Sequence, residues 1–489
     1  MRIATILLLG SLLLFSLTCS QPKKKTYVVI CFDVEDYITP ASEGVDDIPK
    51  WIADTMSEVG VTGTFFVIVE KARSLEKRGR QDVIQAMARH DIGSHTNYGS
   101  IHPTVTEILE KADWEQGVKT MYERESAGID ELQRIFGVPV STLARHGGSY
   151  GPQLVYALSR MGKGYVYSPI HLPGHHAVWF CNTLNFYGDY GSFDDTYYRD
   201  DLFNPNLDSL KANFAKDIEG IDVINFFACH PCKVRTVQFW DFNYYYGANP
   251  DSSQWKTPEL RPLESMKTAR KNFRRLMEFL KSRDDIQITT YRELMKRFSY
   301  QKDEIQKKDL TRLAHRVINE KAVVIDDYFS PAELFSALTR SIVDYAETGS
   351  IASSIGRRAP LGPMQMPIEQ PELEQVTREQ VNALARAANA YIIEHNSLPA
   401  WLDVDGKRIG TGSLLALFSN LYLDIVAGKP AAQYAVLPFD AYPKENAEAI
   451  IADVRACKTW PVHRPDLDMS NLVEMTKMQL WTLKPALES

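Results

Sequence analysis

The chain has 489 residues and a formal net charge of −7, which is longer than one typical domain of about 100–200 residues and suggests two or three. Its longest basic block is Lys23-Lys24-Lys25, so the charge balance argues against nucleic acid as the main partner and favours small or neutral ligands. Outside the leading apolar segment the cysteines number five, an odd count that does not suggest a disulfide framework.

Residues 1–20 open with Arg2, run apolar from Ile3 to Leu17 and leave through Thr18-Cys19-Ser20, the layout of an export signal. The run is shorter than the ~20 residues of a membrane-spanning helix. An exported protein is expected, periplasmic or at the cell surface. Cys19 is either the lipid-anchor residue of a lipoprotein or part of a plain cleavage region.

From Thr26 to about residue 300, short apolar runs alternate with helical patterns. Tyr27 to Phe32 reads as the first strand. Asp47 to Val59 places Ile48, Trp51, Ile52 and Met56 on one helical face, and Val61 to Val69 returns as strand. Gln81 to Arg89 is a helix and Ile92 ends a short strand. Thr106 to Phe136 is a long helical stretch stopped by Gly137-Val138-Pro139, and Val140 to Leu143 is a strand. A helix from Gly151 and a strand from Gly164 to Tyr167 follow. Ala177 to Phe186 and Ile221 to Ala228 give two more strands. Ser265 to Lys281 is a helix, and Ile286 to Thr290 with Arg292 to Phe298 forms a last strand and helix. Seven or eight strands with intervening helices over residues 26–300 are the pattern of a (β/α) barrel, either complete or incomplete with seven strands.

Beyond the polar stretch Ser299 to Lys308 the chain becomes Leu- and Ala-rich and helical over 309–430, with 431–489 as an extension. A weak repeat relates Phe329 to Asp344 with Ile409 to Asp424 at a constant offset of 80, each copy preceded by a further helix, Leu310 to Ile318 and Val381 to Ile393. Repeats at such periods form stacked helical units. Gly356 to Pro371 lies between them as a loop.

Candidate chemistry sits at strand ends. Asp33, Val34, Glu35 and Asp36 follow the first strand, at the carboxyl end where barrel enzymes place catalytic groups. Period-two alternation puts Asp33 and Glu35 on one side, so one carboxylate can hold a metal while the other takes a proton from water. The bland alternative is an acidic turn capping the next helix. His230-Pro231 closes a later strand, and a histidine there can protonate a leaving amine or simply be a core histidine. In Cys229-His230-Pro231-Cys232 the cysteines have redox-like spacing, but reading them as small residues around a functional histidine fits better. Arg145 to Pro152 ends another strand with glycines that would let backbone N–H groups approach an oxyanion.

His95 lacks a helical partner, because Gly99 stands at i+4, where a second imidazole would share a metal. His102 comes seven residues on, about 10.5 Å along a helix, so only a looped segment around Gly99 could fold it back beside His95. Aromatics are dense after His230, including Phe239, Trp240 and Tyr244 to Tyr246. They either stack on sugar rings or pack the core, and Asp241 among them could bond hydroxyls.

In order along Thr26 to Phe298, the acidic cluster, Val61-Thr62-Gly63-Thr64-Phe65-Phe66-Val67, Ile92-Gly93-Ser94-His95-Thr96 with a later His-Pro, Arg145 followed by Tyr150-Gly151, and His230-Pro231 resemble the polysaccharide deacetylase family, carbohydrate esterase family four. The resemblance implies a divalent metal, Zn²⁺ first among candidates, and hydrolysis of N-acetyl groups on a sugar polymer. Carried over, Asp33 would be the general base and His230 the general acid. Glu35 or Asp36 would be the carboxylate ligand, His95 a metal ligand and His102 the other. Arg145 would orient Asp33, and Tyr150 would donate its backbone N–H to the oxyanion beside Gly151. Apart from the resemblance, Trp240 and Asp241 are the substrate-facing candidates of the aromatic stretch. The chain departs from the family at Glu35, at Gly99 and in the expanded Arg145 to Gly151 stretch.

Val376 to Ile425, with Asn396 to Lys407 and the Leu-rich helix after it, resembles a pseudomurein-binding repeat, and Leu310 to Asp344 a more degenerate copy. That resemblance implies attachment to a cell-wall glycan or peptide. Three functions remain open: an exported deacetylase, an inactive relative that only binds polysaccharide, and a hydrolase of another C–N bond in a small amide.

Overall fold

The structure is a computed structural model, and it describes residues 25–488. The expected export signal and Cys19 lie outside the described residues. β1 (Thr26–Val34) is buried along its whole length, since a parallel strand with both faces covered needs a continuous apolar run. It is followed by α1 (Asp47–Val59), β2 (Thr64–Val67), α2 (Val69–Lys77), α3 (Gln81–Met87), β3 (Asp91–Ser94), α4 (Val105–Leu109) and α5 (Trp114–Phe136). Then come β4 (Thr142–Ala144), α6 (Pro152–Met161), β5 (Gly164–Ser168), β6 (Ala177–Phe180), β7 (Thr183–Tyr187), α7 (Asp200–Asp217), β8 (Val223–Cys229), α8 (Ser265–Lys281), β9 (Ile286–Thr289) and α9 (Tyr291–Arg297).

β7, β5, β4, β3, β2, β1 and β8 lie side by side in parallel. After β7 the chain crosses to β8, where Tyr190 and Phe226 make a single parallel bridge. Seven strands therefore curl into a barrel joined by one bridge, the incomplete form of the expected (β/α) barrel. β9 pairs with the first half of β1 on the edge that β2 takes over from Cys31 onward.

Local chemistry explains three departures from the expected boundaries. Ala177 to Phe186 is a hairpin, because Cys181 and Asn182 both take positive φ and turn β7 back antiparallel to β6. The strand expected to reach Val69 stops at Val67, and α2 begins within two residues. The stretch from Thr106 to Phe136 divides at Asp113, whose carboxylate accepts the Gln116 N–H and starts α5.

The helical region contains two copies of one plan. β10 (Glu304–Gln306), α10 (Lys307–Glu320), α11 (Pro331–Thr348) and β11 (Ser354–Gly356) form the first. The second comprises β12 (Gln375–Thr377), α12 (Arg378–His395), the hairpin β13 (Trp401–Val404) with β14 (Lys407–Gly410), α13 (Thr411–Val426) and β15 (Gln433–Ala435). In each copy the outer strands pair antiparallel. α11 and α13 begin at Pro331 and Thr411, in register with the repeat. Their Phe335 and Phe418 rings meet edge to face at 5.4 Å in the shared core.

The expected extension 431–489 divides: its first residues complete the helical region through β15, and the described part from residue 447 on folds back onto the barrel. α14 (Ala447–Ala456) and α15 (Ser470–Gln479) bury Ile450, Val454 and Leu472 in the barrel's own core, and β16 (Lys484–Pro485) pairs antiparallel with β6. Lys484 Nζ lies 2.9 Å from both carboxylate oxygens of Glu333 at the start of α11, and Arg357 Nη1 is 2.9 Å from the same carboxylate. A buried ion cluster thus joins the sheet to the helical region. No helix among the described residues is long and apolar enough to cross a membrane.

Candidate metal centre

The ends of five strands, β1, β3, β4, β5 and β8, and two connecting segments build the site. Asp33 and Glu35 leave the carboxyl end of β1 on the same side, both about 5 % exposed. Tyr167, closing β5, donates its hydroxyl to Asp33 Oδ1 at 3.1 Å. Trp240 Nε1 donates to Glu35 Oε2 at 2.8 Å, which leaves Oε1 facing inward. There Glu35 Oε1 meets His95 Nε2 at 3.0 Å, just past β3, and His146 Nδ1 at 3.2 Å, two residues past β4. His95 Nε2 is also 3.5 Å from Asp33 Oδ2. His230, after β8, places Nε2 3.8 Å from both Asp33 Oδ2 and Glu35 Oε1. Behind it Asp194 accepts His230 Nδ1–H at 2.7 Å and the His230 backbone N–H at 2.9 Å.

The far nitrogens fix the tautomers. His95 Nδ1 faces the Ala144 carbonyl at 3.2 Å, which can only accept, so Nδ1 carries the proton and Nε2 presents a lone pair when the ring is neutral. His146 Nε2 is 2.8 Å from Ser100 Oγ, whose own proton goes to Asp241 Oδ2 at 3.1 Å. The serine oxygen then accepts from His146 Nε2–H, and Nδ1, buried beside Glu35 Oε1, presents a lone pair when the ring is neutral.

Burial pushes the Asp33 carboxyl above its ordinary range, against the pull of His95 and His230. Burial also raises Glu35, but His146 and His230 outweigh it and hold that carboxylate well below the usual range. For His95 burial favours the neutral ring, yet Asp33 and Glu35 raise it overall. His230 follows the same logic: desolvation lowers it, while Asp194 and Glu35 push it up to about 10.

Two overlapping groups among the described residues could hold a cation, Glu35 with His95 and His146, and Asp33 with Glu35 and His230. The first fits better. Ligand bonds of about 2.0–2.1 Å put neighbouring donor atoms about 2.9–3.4 Å apart, and the two imidazole contacts to Glu35 Oε1, 3.0 and 3.2 Å, fall in that interval. Each imidazole also has its second nitrogen tied, the usual support of a ligating histidine.

No protein-family model matches this chain. No curated protein matches it either. Solved structures do resemble it over just over half its length. One is a Mycobacterium smegmatis chain with the provisional name polysaccharide deacetylase, 16 % identical, covering 57 % of this chain and 91 % of that one at a TM-score of 0.36. Another is the Bc1960 peptidoglycan N-acetylglucosamine deacetylase, 15 % identical, covering 56 % and 89 % at 0.30. A third is BA3943 of Bacillus anthracis, a CE4 family pseudoenzyme, 12 % identical, covering 56 % and 66 % at 0.30. At such identities and TM-scores these chains lend no residue assignment to this one.

The structure brings together Asp33, Glu35, His95 and His230 as expected, and corrects the remaining assignments. His102 is no ligand: its Nδ1 sits 2.7 Å from Glu107 Oε2 and its Nε2 2.9 Å from the Tyr244 carbonyl, so both nitrogens are used away from the centre. Gly99 explains why no imidazole is needed at that position. It takes φ +58°, and a Cβ there would lie 2.8 Å from Ile68 Cδ1, with His146 Nε2 in ordinary contact at 3.5 Å, so a larger side chain would have to displace Ile68 and turn toward His146. Asp36 is a turn residue, its carboxylate accepting from Ile38 N, Thr39 N and Thr39 Oγ1. Arg145 does not orient Asp33; its Nη1 lies 2.6 Å from Cys457 Sγ. The Tyr150 N–H is taken by Thr106 Oγ1 at 2.7 Å and cannot serve an oxyanion. Gly151 starts α6 and has no room for a Cβ beside Leu109, which is a packing reason for glycine. Trp240 and Asp241 are buried supports, on Glu35 and on Ser100 respectively, instead of substrate contacts. Cys229 and Cys232 are buried free thiols.

The His102 pair gives a pH test. Burial lowers His102, but Glu107 and the Tyr244 carbonyl raise it overall, while Glu107 is held down to about 2. A raised histidine contributes stability that is full below its unfolded pKa of about 6.5 and is lost as pH rises through the folded value. The Glu107 contribution is lost only as pH falls toward 2. His102→Gln is therefore expected to cost about 1.5–3 kcal/mol near pH 6, with the gap to the parent narrowing toward pH 9. Denaturant unfolding at the two pH values measures this, and a pH-independent gap would reject the ion pair.

Proposed function

We propose that this chain is a metal-dependent hydrolase that removes N-acetyl groups from a polysaccharide or cell-wall glycan. The observation that carries the reading is the convergence of two carboxylates and three imidazoles at the carboxyl mouth of the barrel, with Asp194 behind the most accessible imidazole. Glu35, His95 and His146 would hold the cation, and two imidazoles with a carboxylate suit Zn²⁺. The bound ion supplies a Lewis acid for the amide carbonyl and lowers the pKa of water.

The remaining steps belong to the side chains. Asp33 Oδ2 points at the centre while Tyr167 occupies Oδ1, so one oxygen is free to take a proton from the attacking water. His230 can present an Nε2 proton to the departing nitrogen because Asp194 accepts from its Nδ1–H and favours the imidazolium. As the C–N bond breaks, the acyl carbon keeps the water oxygen and the departing nitrogen takes the proton from His230. Asp194 keeps that ring oriented through both of its hydrogen bonds.

The test is metal analysis of the purified protein followed by acetate release from N-acetylchitooligosaccharides. The expected result is one divalent ion per chain, acetate release abolished by chelation and restored by Zn²⁺. Metal with cleavage of small cyclic amides and no acetate would move the substrate to that class. Neither metal nor acetate would leave an inactive glycan-binding protein. The paired copies of the helical region support a further role in binding the cell wall. An exported setting, with or without a lipid at Cys19, rests on the sequence of residues 1–20.

A further inference from the structure

We propose that residues 457–464 are a working part of the metal centre, with Trp460 as a positioning residue for His146. This inference rests on the metal-dependent reading above and concerns how the third ligand is held.

His146 is carried by a loop, so neither a helix nor a strand sets its side-chain direction. Its orientation comes from a chain of hydrogen bonds. His146 Nε2 meets Ser100 Oγ at 2.8 Å, Ser100 donates to Asp241 Oδ2 at 3.1 Å, and Trp460 Nε1 donates to that same oxygen at 3.0 Å. Asp241 is 2 % exposed and its other oxygen has no partner, so the indole N–H and the serine are what hold this buried carboxylate. Without the indole, Ser100 alone would fix the carboxylate, and the acceptor that selects the His146 tautomer would be free to turn.

The backbone is arranged to bring Trp460 there. Gly148 takes φ +75° and has no room for a Cβ against the Cys457 carbonyl, so residues 457–464 lie directly on the His146 loop. Arg145 reaches the Cys457 thiol from the other side of that loop. Tyr246 N donates to the Pro461 carbonyl at 2.7 Å and Gly247 N to the Val462 carbonyl at 3.3 Å, which ties the segment to the stretch carrying Trp240 and Asp241. The Trp460 ring also packs edge to face on Phe239 at 5.1 Å, and Phe239 on His230 at 4.8 Å. One segment therefore touches Asp241, which supports His146 through Ser100, and Phe239, which packs on His230.

The test compares Zn²⁺ affinity, by competition with a chromophoric chelator, for the full chain and for Trp460→Phe, His146→Gln and the double variant. Trp460→Phe keeps an aromatic ring against Phe239 but removes the N–H together with the pyrrole half of the indole, so the double variant with His146→Gln separates positioning of His146 from lost packing. The single variant is expected to weaken Zn²⁺ binding about 10–100-fold, the usual cost of losing an outer-shell partner, with an altered visible spectrum of the Co²⁺-loaded protein. His146→Gln should weaken binding at least as much, and adding Trp460→Phe to it should cost little more. Asp241→Leu, which removes the acceptor shared by Trp460 and Ser100 at similar volume, provides the second reading if Trp460→Phe fails to fold. Wild-type affinity in Trp460→Phe, or losses that simply add in the double variant, would overturn the positioning role while leaving the metal reading intact. No Zn²⁺ on the parent chain would overturn both.

Discussion

Asp33→Asn is expected to lower deacetylase turnover about 10²–10⁴-fold, the range for losing a general base, with the metal content unchanged. The amide has the carboxylate's shape, and its oxygen can still accept from Tyr167, so the β1 terminus and the Glu35 ligand stay in place. What is lost is the ability to take a proton at the oxygen that faces His95 and His230. Turnover and bound metal are measured on the same preparation. Full activity would remove Asp33 from the base role. Loss of the metal would instead make Asp33 a ligand, in favour of the alternative grouping of Asp33, Glu35 and His230.

The largest stability effect is expected at Glu333. Its carboxylate is the counter-charge of Lys484, with both oxygens at 2.9 Å, and of Arg357. Burial pushes the Lys484 ammonium below its ordinary value, while the Glu333 carboxylate pulls it the other way. Glu333→Gln preserves the volume and the α11 cap but leaves two cations facing an amide. Breaking one partner of a buried pair costs about 3–5 kcal/mol. Chemical unfolding should show the loss, and Glu333→Gln with Lys484→Met should recover most of it, since the uncompensated charge goes with the lysine. A single variant within about 1 kcal/mol of the parent would mean that water already solvates the cluster.

Much of the barrel was legible because parallel strands and amphipathic helices carry strong periodicities. Asp33 and Glu35 were readable from a period of two at the end of a strand, and His95 and His230 from their places just past strand ends. His146 sits just past a strand end as well, and that position was the signal available for it. Helical spacing directed attention to His102 instead, although a glycine at i+4 means that the second imidazole can come from anywhere in space. Asp194 lies in a loop between β7 and α7 with no pattern of its own, and Pro205 inside α7 hides the helix that follows. The role of residues 431–489 was not legible either, because packing on a barrel begun some 400 residues earlier leaves no local trace.

That separation also bears on the order of assembly. Trp460 and Asp241 are 219 residues apart, and Arg145 and Cys457 are 312 apart. Contacts of such span close large loops and form late, after nearby strands and helices have paired. A growing chain therefore holds Glu35, His95 and His146 long before it holds their arrangement, and a half-made set of carboxylate and imidazole favours whichever ion the Irving–Williams order ranks highest. On the proposed metal-binding reading, fastening the loop from residue 460 would defer tight ion capture until folding is nearly finished and make the choice of metal a matter of timing as much as of ligands.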